Sequence, residues 1–275
     1  MSKTQHTTDP VSIAYDITGS GPLVVFLHGI GGNRTNWTGQ LDSFGNRFCA
    51  LSWDARGYGD SNDSPQTLKF SDYADDLLRL LDHLKADRAH LVGLSMGGMI
   101  IQDFYGGYAE RAASLSLVDT SSGFGGASEA VKHDFLSRRL DPLEKGLTPQ
   151  DIAPGVVEIL VAKSASIPVR EKLQASLSAL RVEPYKQALH AIVTTDFRPV
   201  LPSITVPTLV IVGEEDQVTP PEASEFLVNN IAGASLVKIP DAGHLTNIER
   251  PEAFDAALGA FLDQHAGRAS VVSAK

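Results

Sequence analysis

Ala89-His90-Leu91-Val92-Gly93-Leu94-Ser95-Met96-Gly97-Gly98 is the stretch whose reading decides the fold. A short apolar run, the mark of a buried strand, meets Gly93-x-Ser95-x-Gly97, and a helical pattern runs on from Met96 to about Tyr108. Strand, sharp turn and helix are the context in which a G-x-S-x-G segment holds a nucleophilic serine. The turn forces the serine into a strained backbone conformation, so its neighbours must be tiny, and Gly93 and Gly97 meet that demand. The helix that follows points its N-terminus at Ser95, which favours negative charge developing there. A Gly/Ser-rich turn without function would need none of this setting.

Outward from Ser95, short apolar runs alternate with helical patterns. Leu23–Leu27, Phe48–Trp53, Leu115–Val118, Thr208–Gly213 and Ser235–Ile239 read as further strands. Continuous apolar runs suit parallel strands buried on both faces, and the alternation predicts right-handed βαβ units. Ser71 is a candidate N-cap for a helix that places Tyr73, Leu77, Leu80, Leu81 and Leu84 on one side. Thr219 with Glu222 makes a capping-box pattern with Pro220 at the first helical position, and a last helix is expected over Pro251–Gln264. From Gly123 to Pro199 the strand signal vanishes, leaving helical pieces broken by Pro142, Pro149, Pro154, Pro168 and Pro184. The expected organisation is a core over 1–122 and 200–265, a helical cap over 123–199 and a flexible tail over 266–275. Inserted after a strand end, such a cap would sit over the carboxyl edge of the sheet, where open α/β sheets bind ligands, as a lid.

Three further segments complete a candidate site. His28-Gly29-Ile30-Gly31-Gly32 follows the first central strand, and a loop there supplies one backbone N–H of an oxyanion hole. The donors would be Ile30 and Met96. A dinucleotide loop is the competing reading, but the third glycine of G-x-G-x-x-G falls on Arg34. His28 itself is read as an organiser of the loop. The base is His244, in the loop Asp241-Ala242-Gly243-His244 after the Ser235–Ile239 strand; the histidines other than His28 and His244 lack a strand-end loop with an adjacent glycine. Asp216, in Gly213-Glu214-Glu215-Asp216, is favoured as the acid that orients it, with Asp119, after Leu115–Val118, as the alternative. In Asp54-Ala55-Arg56-Gly57-Tyr58-Gly59-Asp60-Ser61, Asp54 and Arg56 are expected to hold a structural turn.

Composition excludes several classes. The 275 residues are 43% hydrophobic with a formal net charge of −10, which opposes binding to nucleic acid or an anionic membrane surface. The single cysteine, Cys49, lies in an apolar run and is expected to be inert; no Cys cluster and no His pair has metal-ligand spacing, so neither a metal nor another cofactor is implied. The first ten residues, MSKTQHTTDP, lack the apolar core of a secretory leader, and no run approaches the ~20 apolar residues of a membrane span. A cytoplasmic enzyme acting on a small molecule is the expectation.

Taken in order, HGIGG at 28–32, DARGYGDS at 54–61, GLSMGG at 93–98, GEEDQVTP at 213–220 and AGHLTNIERPEAF at 242–254 resemble the α/β-hydrolase fold superfamily. The resemblance implies a mostly parallel central sheet with helices on both faces, an inserted helical cap, and a triad of Ser95, Asp216 and His244. Within the superfamily, GLSMGGMIIQ at 93–102, DTSS at 119–122, EPYKQAL at 183–189 and TTDFRPVL at 194–201 are most similar to 3-oxoadipate enol-lactonases. That likeness implies hydrolysis of a small ester or lactone, an enol-lactone in particular. Carbon–carbon bond hydrolases of ring-cleavage products or β-diketones are a rival reading, but they commonly carry Asn before the nucleophile and Trp after the histidine, where this chain has Leu94 and Leu245. A general carboxylesterase or perhydrolase needs only the triad and oxyanion hole, and a non-enzymatic ligand sensor only the fold. A dicarboxylate-like substrate would require an arginine in the pocket, and Arg138, Arg139, Arg170, Arg181 and Arg198 are the candidates in the insert.

Overall fold

The computed structural model describes residues 4–8 and 11–274; of the polar N-terminal decapeptide, residues 1–3, 9 and 10 lie outside the described residues. In chain order the elements are β1 (Gln5–His6), β2 (Ala14–Thr18), β3 (Ser20–Leu27), α1 (Thr38–Phe44), β4 (Cys49–Trp53), α2 (Ser71–His83), β5 (Ala89–Leu94), α3 (Met96–Tyr108) and β6 (Ala112–Val118). Four helices follow: α4 (Glu129–Glu144), α5 (Pro149–Leu160), α6 (Ile167–Ser178) and α7 (Val182–Ile192). The chain then returns through β7 (Thr208–Gly213), α8 (Pro221–Asn230), β8 (Ser235–Ile239), α9 (Thr246–Glu249), α10 (Pro251–His265) and β9 (Val271–Ser273).

The sheet runs β1-β2-β4-β3-β5-β6-β7-β8, parallel from β4 through β8, with β1 and β2 added antiparallel at one edge. Helices cover both faces because successive side chains of a strand point to opposite sides. In β3, Leu23, Val25 and Leu27 join the cluster made with α2, α3 and α8, whereas Val24 and Phe26 join the cluster under α1 and α10. Every residue of β4 to β7 is buried, so no polar alternation survives there. Phe26, Trp37 and Phe254 stack at centroid separations of 5.0 and 6.0 Å, and each large side chain withdrawn from water contributes roughly 1.5–3 kcal/mol.

Because β3 and β5 to β8 are parallel, their carboxyl ends deliver His28, Ser95, Asp119, Asp216 and His244 to one edge of the sheet. The four cap helices leave the core after β6 and return before β7. Phe124 N–H donates to Thr195 O (2.8 Å) and Phe197 N–H to Ser122 O (2.8 Å), which zips the outgoing and returning chain together. The turn at 54–61 is braced from outside. The Asp54 carboxylate pairs with Arg34, and Arg56 forks onto the buried Asp76 at 2.6 and 2.7 Å.

Several local expectations are corrected. Residues 266–275 do not simply fray: Ala266–Arg268 form a 3-10 turn, and β9 pairs antiparallel with Ser20–Pro22, the start of β3 that β4 leaves unpaired. Lys275 lies outside the described residues. Helix α2 begins at Ser71 itself, with Phe70 as N-cap. The prolines do not all break helices, since Pro142 and Pro154 lie inside α4 and α5. The Thr219/Glu222 capping box does not form; α8 starts at Pro221, and the Thr219 hydroxyl is engaged in the site described next.

Candidate active site

Ser95 sits between β5 and α3 at φ 53°, ψ −115°, a conformation that costs a non-glycine residue about 1–3 kcal/mol. The surrounding structure enforces it. Ser95 N–H donates to Val118 O (2.9 Å), and Ser95 O accepts from the Thr120 hydroxyl (2.7 Å). A Cβ on Gly93 would lie 2.3 Å from Gly97 O, and one on Gly97 would lie 2.3 Å from Leu27 O, so the elbow closes only with glycine at both positions. Among the described residues, neither Ile30 N–H nor Met96 N–H donates to a protein acceptor. His28 does not reach Ser95: its Nδ1–H donates to Gly29 O (2.8 Å), and its Nε2 accepts from Ala55 N–H (3.0 Å). Burial lowers the His28 pKa, which keeps the ring neutral and the loop carrying Ile30 in place.

The structure brings Ser95, His244 and Asp216 together. Ser95 Oγ lies 2.9 Å from His244 Nε2, and His244 Nδ1 lies 2.8 Å from Asp216 Oδ2. Asp216 Oδ1 accepts from Val218 N–H (2.8 Å) and Thr219 N–H (3.0 Å), and Oδ2 also accepts from the Thr219 hydroxyl (2.9 Å). Burial alone would raise the Asp216 carboxyl, but the neighbouring imidazole and these donors bring it below the ordinary value. Burial would likewise depress the His244 imidazole. The Asp216 charge, assisted by Asp119, reverses this and holds it above 6.5.

Asp119 does not touch the imidazole. Its Oδ1 accepts from Gly213 N–H (3.0 Å), and its Oδ2 accepts from Thr246 N–H (3.1 Å) and the Thr246 hydroxyl (2.7 Å). Full burial, then the nearby Asp216, pushes its pKa up to about 7.

A cavity of about 620 Å³ opens above Ser95 and His244 beneath the cap. Its walls are chiefly apolar, including Trp37, Phe124, Val156, Leu160, Leu173 and Leu177. Of the five insert arginines, Arg138 and Arg139 line it. Arg138 is paired with Asp134 (2.8 Å). Arg139 lies over the Phe135 ring at 3.8 Å and donates to Phe135 O (2.9 Å), with no carboxylate in ion-pair range among the described residues. Arg170 pairs with Glu158, Arg181 with Asp63 and Arg198 with Asp196. Thr219, which the sequence offers as a helix cap, is instead a contributor to the site through its bond to Asp216. A hydroxyl three residues after Asp216 was visible, but nothing showed that it would turn to the carboxylate rather than to a helix end.

Comparison with known proteins agrees with this architecture. The alpha/beta hydrolase family model matches residues 24–257. A 3-oxoadipate enol-lactonase 2 of Acinetobacter baylyi is 29% identical over 260 residues, covering 93% of this chain and 95% of that protein. Among solved structures, a hydrolase from Pseudomonas aeruginosa is 33% identical with a TM-score of 0.84, covering 95% of this chain and 98% of its own. A thermophilic esterase from Thermogutta terrifontis is 30% identical with a TM-score of 0.87, covering 97% and 99%. Among the described residues no helix is long and apolar enough to cross a membrane. With the family model spanning the parallel strands from Val24 onward, the elbow and the histidine loop, the chain belongs to the alpha/beta hydrolase family.

Proposed function

We propose that the protein hydrolyses a small ester or lactone through an acyl-enzyme, with Ser95 as nucleophile, His244 as general base and acid, Asp216 as its orienting acid, and Ile30 and Met96 N–H as oxyanion donors. The observation that carries this reading is the unbroken chain Ser95 Oγ–His244–Asp216 at 2.9 and 2.8 Å, whose Ser95 and His244 line an apolar cavity. His244 Nε2 takes the serine proton as Oγ attacks the carbonyl carbon. The oxyanion forms where the two backbone N–H groups and the α3 N-terminus stabilise it. On collapse the C–O bond to the leaving group breaks, and the imidazolium returns the proton to that oxygen. Water, deprotonated by His244, then releases the acid and restores Ser95.

The substrate we favour is an enol-lactone bearing a carboxylate, whose enol leaving group relaxes to a ketone. Arg139 supports it, as a guanidinium on the cavity wall without an acidic partner among the described residues, and so does the likeness to the Acinetobacter baylyi enol-lactonase. A neutral carboxylic ester is the second reading, favoured by the apolar lining and the likeness to the Thermogutta terrifontis esterase. One experiment separates them: turnover of a carboxylate-bearing enol-lactone and of an uncharged short-chain ester by the native enzyme, Ser95→Ala and Arg139→Met. Ser95→Ala should abolish both reactions. Arg139→Met should cut kcat/KM for the anionic lactone about 10- to 100-fold, the worth of a charged hydrogen bond of roughly 1.5–3 kcal/mol, and spare the ester. Equal losses on both substrates would overturn the anionic reading, and full activity in Ser95→Ala would overturn the mechanism.

A further inference from the structure

Glu249 is a buried carboxylate that takes no part in the chemistry above. Its Oε1 accepts from Gly243 N–H (3.0 Å) and Leu245 N–H (3.2 Å), the residues on either side of His244. Its Oε2 accepts from Ala162 N–H (2.7 Å), which belongs to the cap just beyond the end of α5. His244 N–H itself donates to a cap carbonyl, Leu160 O (2.6 Å). The two backbones lie against each other: a Cβ on Gly243 would stand 2.6 Å from Leu160 O and 2.7 Å from Ala162 N. At its other end the same helical pair grips the oxyanion loop. Ser176 Oγ of α6 accepts from Asn33 Nδ2 (3.2 Å) and donates toward Asn36 Oδ1 (3.3 Å) and Gly31 O (3.4 Å). A residue serving only its own loop would need the bonds to Gly243 and Leu245; the bond to Ala162, 87 residues away, ties that loop to the cap.

We infer that Glu249 is a positioning residue for His244 that acts through the cap, so that the imidazole is aligned between Ser95 and Asp216 only while the α5–α6 pair is seated. The inference rests on the reading of His244 as the base. It makes α5–α6 part of the catalytic scaffold rather than a door over it.

Two variants cut the same bond from opposite sides. In Glu249→Gln the amide offers one acceptor oxygen, which cannot serve both the histidine loop and Ala162. In Ala162→Pro the cap-side N–H is removed, and Val161 already has the extended conformation (φ −106°, ψ 153°) that a residue before proline requires. With an activated short-chain ester, each variant should lose about 10- to 100-fold in kcat, the scale set by ångström misplacement of a reacting group. KM should stay within about twofold, since no pocket-wall contact is altered. The double variant should be no worse than the poorer single, because both remove one interaction. As the ring drifts from Asp216, the acid limb of the kcat/KM profile should move to lower pH. The downfield proton resonance of His244 Nδ1–H should be sharp in the native enzyme and broadened in both variants. Variants that fold normally yet keep native kcat, acid limb and resonance overturn the inference, as does an additive double variant. If Glu249→Gln does not fold, Ala162→Pro alone decides. A native protein that shows the resonance but turns over no ester overturns the catalytic reading instead, and the resonance in the variants still decides the positioning role.

Discussion

Asp119 and Asp216 are two buried carboxylates at the ends of adjacent strands, and hydrogen bonding separates their roles. Asp216 spends one oxygen on backbone donors and the other on His244 Nδ1. Asp119 spends both on Gly213 and Thr246, so it braces the histidine loop without touching the ring. Removing the Asp216 charge should therefore resemble loss of the orienting acid in other triads: Asp216→Asn should lower kcat about 10⁴-fold, because the imidazole adopts the wrong tautomer. Asp119→Asn should cost far less in kcat and act on the pH profile. The His244 pKa is raised above 6.5, and the base works only when neutral, so activity is lost as pH falls through that raised value. Asp119 contributes to the raising, so its neutralisation moves the acid limb to lower pH. The limb belongs to the coupled group of three ionisable residues rather than to His244 alone. A stopped-time pH series on kcat/KM checks this; an unmoved limb, or one shifted upward, contradicts it.

At the scale of elements, what was legible in the sequence depended on whether a segment's environment is set locally. The strands β5 and β7 are found where their apolar runs predict them, because a strand buried on both faces declares itself in composition; β8 is found at its predicted place too, although only Ile239 is fully buried. Ser95 and Met96 follow directly on β5, whereas His244 lies further on, in the loop between β8 and α9, and is marked by its adjacent glycine rather than by the strand. Thr219 was misread because Thr-Pro-x-Glu is a sound helix start in isolation; the buried Asp216 carboxylate outcompeted the helix N-terminus for its hydroxyl. Arg139 could not be chosen from five cap arginines, since α4 buries only Leu140 and Leu143 and its polar residues carry no marked face. The tail does not declare its strand because its partner, the start of β3 that β4 leaves unpaired, lies at Ser20–Pro22, at the other end of the chain. This last element has a consequence. β9 and its approach carry bonds from Leu23 N–H to Ser270 O, from Ser270 N–H to Arg88 O and from Ala274 N–H to Gly19 O, all at 2.9 Å. They lie at the amino end of β3, away from the catalytic edge. Truncation after Arg268 should lower unfolding free energy by about 1–3 kcal/mol, the net of several bonds against the entropy regained, with kcat unchanged. Chemical denaturation beside a turnover assay checks both parts; a fall in kcat at full folding would place the tail in the site.

At the scale of the whole molecule, a net charge of −10 opposes the local attraction of Arg139 for an anionic substrate. The two act over different distances. Compact-chain scaling puts the surface roughly 20 Å from the centre of charge. In bulk water ten unit charges repel an approaching anion there by about 2 kcal/mol before screening. The Debye length falls from about 30 Å at 0.01 M salt to about 8 Å at 0.15 M, so most of that repulsion disappears across this range. The contact inside the cavity, where the guanidinium sits against Phe135 and is partly withdrawn from solvent, is screened far less. Long-range repulsion should therefore govern encounter, while short-range attraction governs the bound state. The expected outcome is a kcat/KM for a carboxylate-bearing lactone that rises about two- to fivefold between 0.01 and 0.15 M monovalent salt, beside a flat profile for an uncharged ester. A decrease with salt would mean that the cations lining the cavity, Arg138 and Arg139, outweigh the net charge and steer the substrate in. Arg139→Met separates the two: it should weaken binding of the anion at every ionic strength, yet leave the upward slope intact, because the slope belongs to the whole charge distribution and the affinity to one side chain.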